Sequence, residues 1–250
     1  MKIWWLLGRI IVLSLVSVLL GGCGLTKGND ASDIEQAVKT VEDRYGITLT
    51  VRKKALLPRG VACDVTTRCK EFPNLKVRVF RFDKSTRVQS DFIYQKYGDE
   101  SYDRICTTVH TIYPDALVVV EDSKYNHFTD DWYDGNTTIE DYLLDNQLSV
   151  NIVLLKIYDD EEIREAYHRM AVSLLEAGIN SHGLGIYCMR EQADIDAIKT
   201  YDHIPDPQAF KGIPDKGLRI CANNNYGTLK EYLEDPENAG VVIRHGASKS

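Results

Sequence analysis

Apolar and polar positions change period several times along the chain, and each change marks an element. Ile34, Ala37, Val38 and Val41 recur at helical spacing after Ser32-Asp33-Ile34-Glu35. That spacing predicts a helix opened by a capping box and ended at Gly46. Ile47, Leu49 and Val51 then alternate with Thr48, Thr50 and Arg52, the pattern of a half-buried strand, and Leu75, Val77 and Val79 do the same. Between them, residues 55–74 carry Pro58, Gly60, Pro73 and two cysteines and read as a long loop. Helical spacing returns at Tyr102, Ile105, Val109 and Ile112 and stops at Pro114. The unbroken run Ala116–Val120 predicts a central strand buried on both faces.

Residues 122–137 break the periodicity with acidic and aromatic positions and are read as a linker. Beyond it the alternation is more regular. Helices are predicted over Thr138–Asn146, after Asp159-Asp160-Glu161-Glu162 as far as Gly178, over Ala193–Tyr201 and over Leu229–Leu233. Strands are predicted over Leu148–Leu154, Leu184–Met189, Leu218–Ala222 and Val241–Ile243. The fold class is therefore mixed, α+β or α/β, with alternating strands and helices in two small subdomains, 32–121 and 138–250, and at least some parallel pairing.

The first residues follow a different rule. Lys2 and Arg9 precede the apolar run Ile10–Leu20, about eleven residues long, which suits a signal peptide and is short for a bilayer span of ~20. Small residues follow, ending in Leu20-Gly21-Gly22-Cys23. This stretch resembles the lipobox of bacterial lipoproteins. The resemblance implies that residues 1–22 are a signal peptide and that Cys23 becomes the mature N-terminus and carries diacylglyceryl, often with a further palmitate-like acyl chain. Two or more acyl chains hold a protein stably at a bilayer at ~0.8 kcal/mol per buried methylene, without a spanning helix. The expected location is the extracytoplasmic face of a cell membrane, with the polar stretch up to Ala31 as a tether (residues 23–31). The layout of a helix ending in Arg44-Tyr45-Gly46, a strand, and later Tyr142-Leu143-Leu144-Asp145-Asn146 before another strand resembles membrane lipoproteins of Gram-positive bacteria that have no established activity. It supplies no catalytic residues to carry over.

Charge narrows the partners. The formal net charge is −7, and without residues 1–22, which hold Lys2 and Arg9 and no acidic residue, it is −9. An acidic body repels phosphate backbones, so no nucleic-acid partner is expected. The short cluster Arg52-Lys53-Lys54, with Arg59, is read as a solvated strand end.

Five cysteines remain after Cys23. Outside the membrane disulfides are permitted, and Cys63 and Cys69 are the candidate pair, closing a short loop worth roughly 2 kcal/mol in the chain-entropy model. Cys106 and Cys188 are read as small core residues, and a Cys188–Cys221 bridge across adjacent strands is the alternative pairing. The histidines lie in no recognised signature, and phosphate-binding glycine motifs and zinc spacings are absent, so no metal or cofactor is expected. Asp130 to Gly135 has part of the spacing of a calcium loop, but Trp132 stands at a ligand position and Asp141 replaces the bidentate Glu, which leaves an acidic turn. The aromatic stretch with His127, Phe128, Trp132 and Tyr133 is the candidate recognition site, set against a linker whose rings pack on both halves. The expected function is a membrane-tethered binding or envelope-interaction module for an envelope protein or small ligand. The alternative is an extracytoplasmic hydrolase with a Cys-His or carboxylate site.

Overall fold

The computed structural model describes residues 31–57, 60–122, 133–145, 148–198, 200–201, 204–205, 218–224, 227–235 and 241–246. The elements are α1 (Ala31–Tyr45), β1 (Leu49–Lys54), β2 (Val61–Cys69), β3 (Lys76–Phe82), β4 (Val88–Ser90), α2 (Phe92–Ile112), β5 (Leu117–Asp122), α3 (Ile139–Asp145) and β6 (Leu148–Leu154). They continue with α4 (Asp160–Glu176), β7 (Gly183–Met189), α5 (Gln192–Asp196), β8 (Thr200–Tyr201), β9 (Ile204–Pro205), β10 (Leu218–Asn224), α6 (Leu229–Glu234) and β11 (Val242–His245). Strands and helices alternate in a mixed α+β fold.

Two sheets organise these elements. The first is an antiparallel meander in the order β1-β2-β3-β4. The second runs β11-β10-β7-β6-β5, with only β6 and β7 parallel, and β8 and β9 form a separate hairpin. Helix α1 buries Ile34, Ala37, Val38 and Val41 against the first sheet, where Cys63, Val65, Val77 and Val79 point inward. Helices α2, α4 and α6 cover one face of the second sheet, over Val150, Ile152, Leu184, Ile186 and Ile220. The inner faces of both sheets belong to one continuous hydrophobic cluster, which runs through residues on either side of 122–137. A smaller cluster of Val119, Val153, Met189 and Ile198 lies on the other face of the second sheet.

Helix ends follow their sequence signals. Asp159 accepts from the Glu161 and Glu162 amides while the Glu162 carboxylate accepts from the Asp159 amide, a complete capping box at α4. At the other end Gly178 takes φ +77°, and the Ile179 amide donates to Leu174 O (2.9 Å) while the Gly178 amide donates to Leu175 O (3.0 Å). This is the two-bond closure that a left-handed residue permits.

Several expectations are corrected. The predicted loop 55–74 contains β2, the strand that joins β1 to β3. Ala116–Val120 is not central: β5 is an edge strand, and it reads as an apolar run because both of its faces are covered, with Val118 and Val119 each almost fully buried. Helix α1 starts at Ala31, so Ser32 lies in its first turn. Helix α2 starts ten residues before Tyr102, its first half disguised by Gly98 and by polar side chains. The helix predicted over 193–201 ends at Asp196, and Thr200–Tyr201 pair as strand.

The Cys63–Cys69 disulfide is likewise overturned. Both residues lie on the single strand β2, six positions apart, which at ~3.3 Å per residue separates their Cα atoms by about 20 Å, far beyond disulfide reach. Cys188 pairs in register with Ile220, and Cys221 with Tyr187, so Cys188 and Cys221 point to opposite faces of their sheet. All five cysteines among the described residues are free thiols.

Candidate functional site

The one parallel pair in the second sheet, β6 and β7, determines where a site can form. In open sheets ligands settle beyond the carboxyl ends of parallel strands, where the chain departs into a helix. Here β6 ends at Leu154 and passes through Leu155, Lys156, Ile157 and Tyr158 to the capping box of α4, and β7 ends at Met189 and passes to α5. A groove of about 700 Å³ opens at this edge. The turn between α2 and β5 supplies one wall, with Tyr113, Pro114 and Asp115, and α5 supplies the other, with Gln192 and Ile195.

The walls are held from behind. Tyr113 terminates α2, and its amide donates to Val109 O. Its hydroxyl accepts from the Arg169 guanidinium at 3.1 Å, and that guanidinium also lies over its ring. Burial pushes the Tyr113 phenol above its ordinary pKa. The Ala116 amide closes the turn on Tyr113 O at 3.1 Å, and a ring nitrogen of His110 lies 3.0 Å from Ala116 O. On the groove Leu155 is 52% exposed, and just beyond it Ile157 is 67% exposed and the Lys156 ammonium sits 4.7 Å from the centre of the Tyr158 ring. The result is a trough of mixed character, with Ile112, Leu154 and Ile195 beside a cation, a carboxylate and an amide.

Among the described residues every thiol is held above its usual pKa. Burial raises the pKa of Cys63 to about 11 and that of Cys188 to about 12, and it is the leading cause of the upward shifts at Cys69, Cys106 and Cys221. A thiol held above its usual pKa is a weak nucleophile at neutral pH. Three of the described histidines make separate contacts: His110 with the Ala116 carbonyl, His168 with the Tyr232 hydroxyl at 3.4 Å and His245 with Asp160 at 3.0 Å. Among the described residues no group of three His, Cys, Asp or Glu side chains could hold a metal ion.

The residues predicted from sequence fare differently. Cys23, His127, Phe128 and Trp132 lie outside the described residues. Tyr133 is only 3% exposed and packs in the main core, its ring 6.0 Å from that of Tyr142, so it anchors the chain rather than presenting a surface ring. Asp141 is used locally, accepting from the Thr138 amide and hydroxyl at the start of α3. The groove residues went unread because Lys156, Gln192 and Asp115 are far apart in sequence and ordinary in type. A second feature was also hidden: Asn151 and Asn223 are buried on the outer face of the second sheet, with the Asn223 Oδ1 unpaired. Asn151 interrupts the apolar half of the strand LSVNIVL, which is the signal that could have revealed it.

Comparison with protein-family models, curated proteins and solved structures returned no match.

Proposed function

We propose that the protein is a lipoprotein tethered through Cys23 to the extracytoplasmic face of a cell membrane, and that its body is a binding module. The tether rests on Leu20-Gly21-Gly22-Cys23 following an apolar run of signal-peptide length. Among the described residues no helix is long and apolar enough to cross a membrane.

The observation that carries the binding assignment is the groove at the carboxyl ends of β6 and β7. It combines apolar positions such as Leu154 and Ile195 with Lys156, Asp115 and Gln192, and Cys188, which pairs with Leu154 on the adjacent strand, is buried with its pKa raised to about 12. Such a lining orients a small amphipathic ligand, or a side chain of an envelope protein, without supplying a nucleophile and base. Two experiments test the two parts. Cys23→Ala is expected to abolish metabolic labelling by a palmitate analogue and to release the chain from membranes; retained labelling contradicts the tether. Crosslinking and pull-down of the acylated protein from native membranes is expected to recover a partner or ligand that Lys156→Ala or Leu155→Asp no longer retains. Recovery of lipid alone, together with turnover in a hydrolase screen, overturns the binding role.

A further inference from the structure

The negative net charge conceals a segregated basic surface. Alternation along β2 and β3 sends Val65, Val77 and Val79 inward to α1 and sends Asp64, Thr66, Arg68, Lys76, Arg78 and Phe80 outward. Register then assembles cations from distant parts of the sequence. Arg68 pairs with Lys76, and Thr66 stands between Lys53 on β1 and Arg78 on β3. With strands ~4.8 Å apart, these four cations fall within a patch about 10 Å across. Lys53, Arg68 and Lys76 are exposed, and the Arg78 side chain is 46% exposed. The acid in register among them, Asp64, is already bound to Arg78. Phe80 and Phe82 extend the same face, ring against ring at 4.8 Å, with Phe82 52% exposed. Past the end of β1, Leu56 is 99% exposed, and Lys84 is exposed in the turn after β3.

The position of this surface matters as much as its charge. Arg81, beside Phe82, is paired with Asp33 in the first turn of α1, so the phenylalanine end of the sheet lies at the N-terminus of α1. Seven residues, 24–30, separate Cys23 from α1, and the eight steps from Cys23 to Ala31 can span no more than ~29 Å. We propose that the outer face of the β1–β4 sheet docks on the anionic bilayer to which the chain is anchored. Lys53, Arg68 and Lys76 lie against acidic headgroups, Arg78 neutralises Asp64 among them, and Phe82 and Leu56 enter the interface. The proposal rests on the Cys23 anchor. Exposed apolar side chains flanked by cations are the composition of an interfacial contact, and each cation within a Debye length of an anionic leaflet strengthens binding by roughly five-fold.

The test is amine labelling of the full acylated chain reconstituted in vesicles, read lysine by lysine by mass spectrometry. In phosphatidylcholine with roughly one-third phosphatidylglycerol, Lys53 and Lys76 are expected to label at least about three-fold more slowly than in phosphatidylcholine alone. The protection should vanish in molar salt, and Lys230 on α6 should be unaffected. Arg68→Glu with Arg78→Gln, checked for native circular dichroism, should remove it. Equal labelling of Lys53 and Lys76 in the two vesicle types overturns the docking. Equal protection by free inorganic phosphate at matched concentration overturns the bilayer as partner. A chain that fails to float with vesicles sinks the anchor together with the docking, whereas a chain that floats with uniformly reactive lysines sinks the docking alone.

Discussion

Arg78 grips Asp64 at two points across adjacent strands, Nε to Oδ1 at 2.8 Å and Nη2 to Oδ2 at 2.6 Å. The partners are unequally buried: the Asp64 side chain is 9% exposed and that of Arg78 46%. Losing the arginine strands a nearly buried carboxylate, while losing the carboxylate leaves a guanidinium that water can still reach. Arg78→Met is therefore expected to cost roughly 2–3 kcal/mol and Asp64→Asn about 1 kcal/mol. Urea unfolding of both variants checks the order, and equal costs would contradict the asymmetry.

The Arg78 backbone makes a second connection, donating its amide to Asp91 Oδ1 at 2.6 Å, while Gln95 donates to the other carboxylate oxygen at 3.3 Å. Burial raises Asp91 from 3.8 to about 6 despite these bonds. Between those two values the native state binds a proton that the unfolded chain does not. The associated stability is fully present below pH 3.8 and is lost as pH rises through about 6. The full difference is on the order of 3 kcal/mol. Unfolding midpoints should fall between pH 5 and pH 7 by a component that Asp91→Asn removes; an identical slope in the variant would contradict the assignment.

Burial also governs the thiols. In the absence of reductant the mature chain should show five titratable thiols in guanidinium, from Cys63, Cys69, Cys106, Cys188 and Cys221, and far slower reaction when native. A non-reducing mass lower by one hydrogen pair would reveal a disulfide and overturn the strand register of β2 or of β7 and β10.

Gly185 on β7 faces Asn151 and Tyr187 so closely that an added Cβ would lie 2.4 Å from the Tyr187 ring and 2.8 Å from Asn151 Oδ1. Neither group can stay in place beside a methyl. Gly185→Ala is expected to destabilise by about 1–3 kcal/mol. Tyr187→Ala in the same chain should recover part of that loss, because it removes the nearer obstacle. Full additivity of the two substitutions would show that the contact does not matter.

How much of this could be read in advance depended on what each residue faces. Strands β6 and β7 and helix α4 were legible because one continuous core selects large apolar residues at fixed period, as at Val150, Ile152, Ile163 and Leu174. Strand β2 was not, because its inward positions are filled by Cys63, Val65 and Thr67, small side chains that leave room for α1, and its outward positions are polar. The groove and the basic face were invisible for a different reason. Lys53, Arg68 and Arg78 become neighbours only through antiparallel register, and Tyr113 meets Lys156 and Gln192 only where three connections converge. Local pattern reports burial; it does not report which surface residues the topology will gather.

Both proposed surfaces rest on the proposed anchor at Cys23, so its chemistry decides most. Mass spectrometry of the N-terminal peptide from membrane-extracted protein measures it directly. The predicted result is a mature chain that begins at Cys23 with a diacylglyceryl group on its sulfur. A peptide running intact through residue 23 with an unmodified thiol would contradict the account.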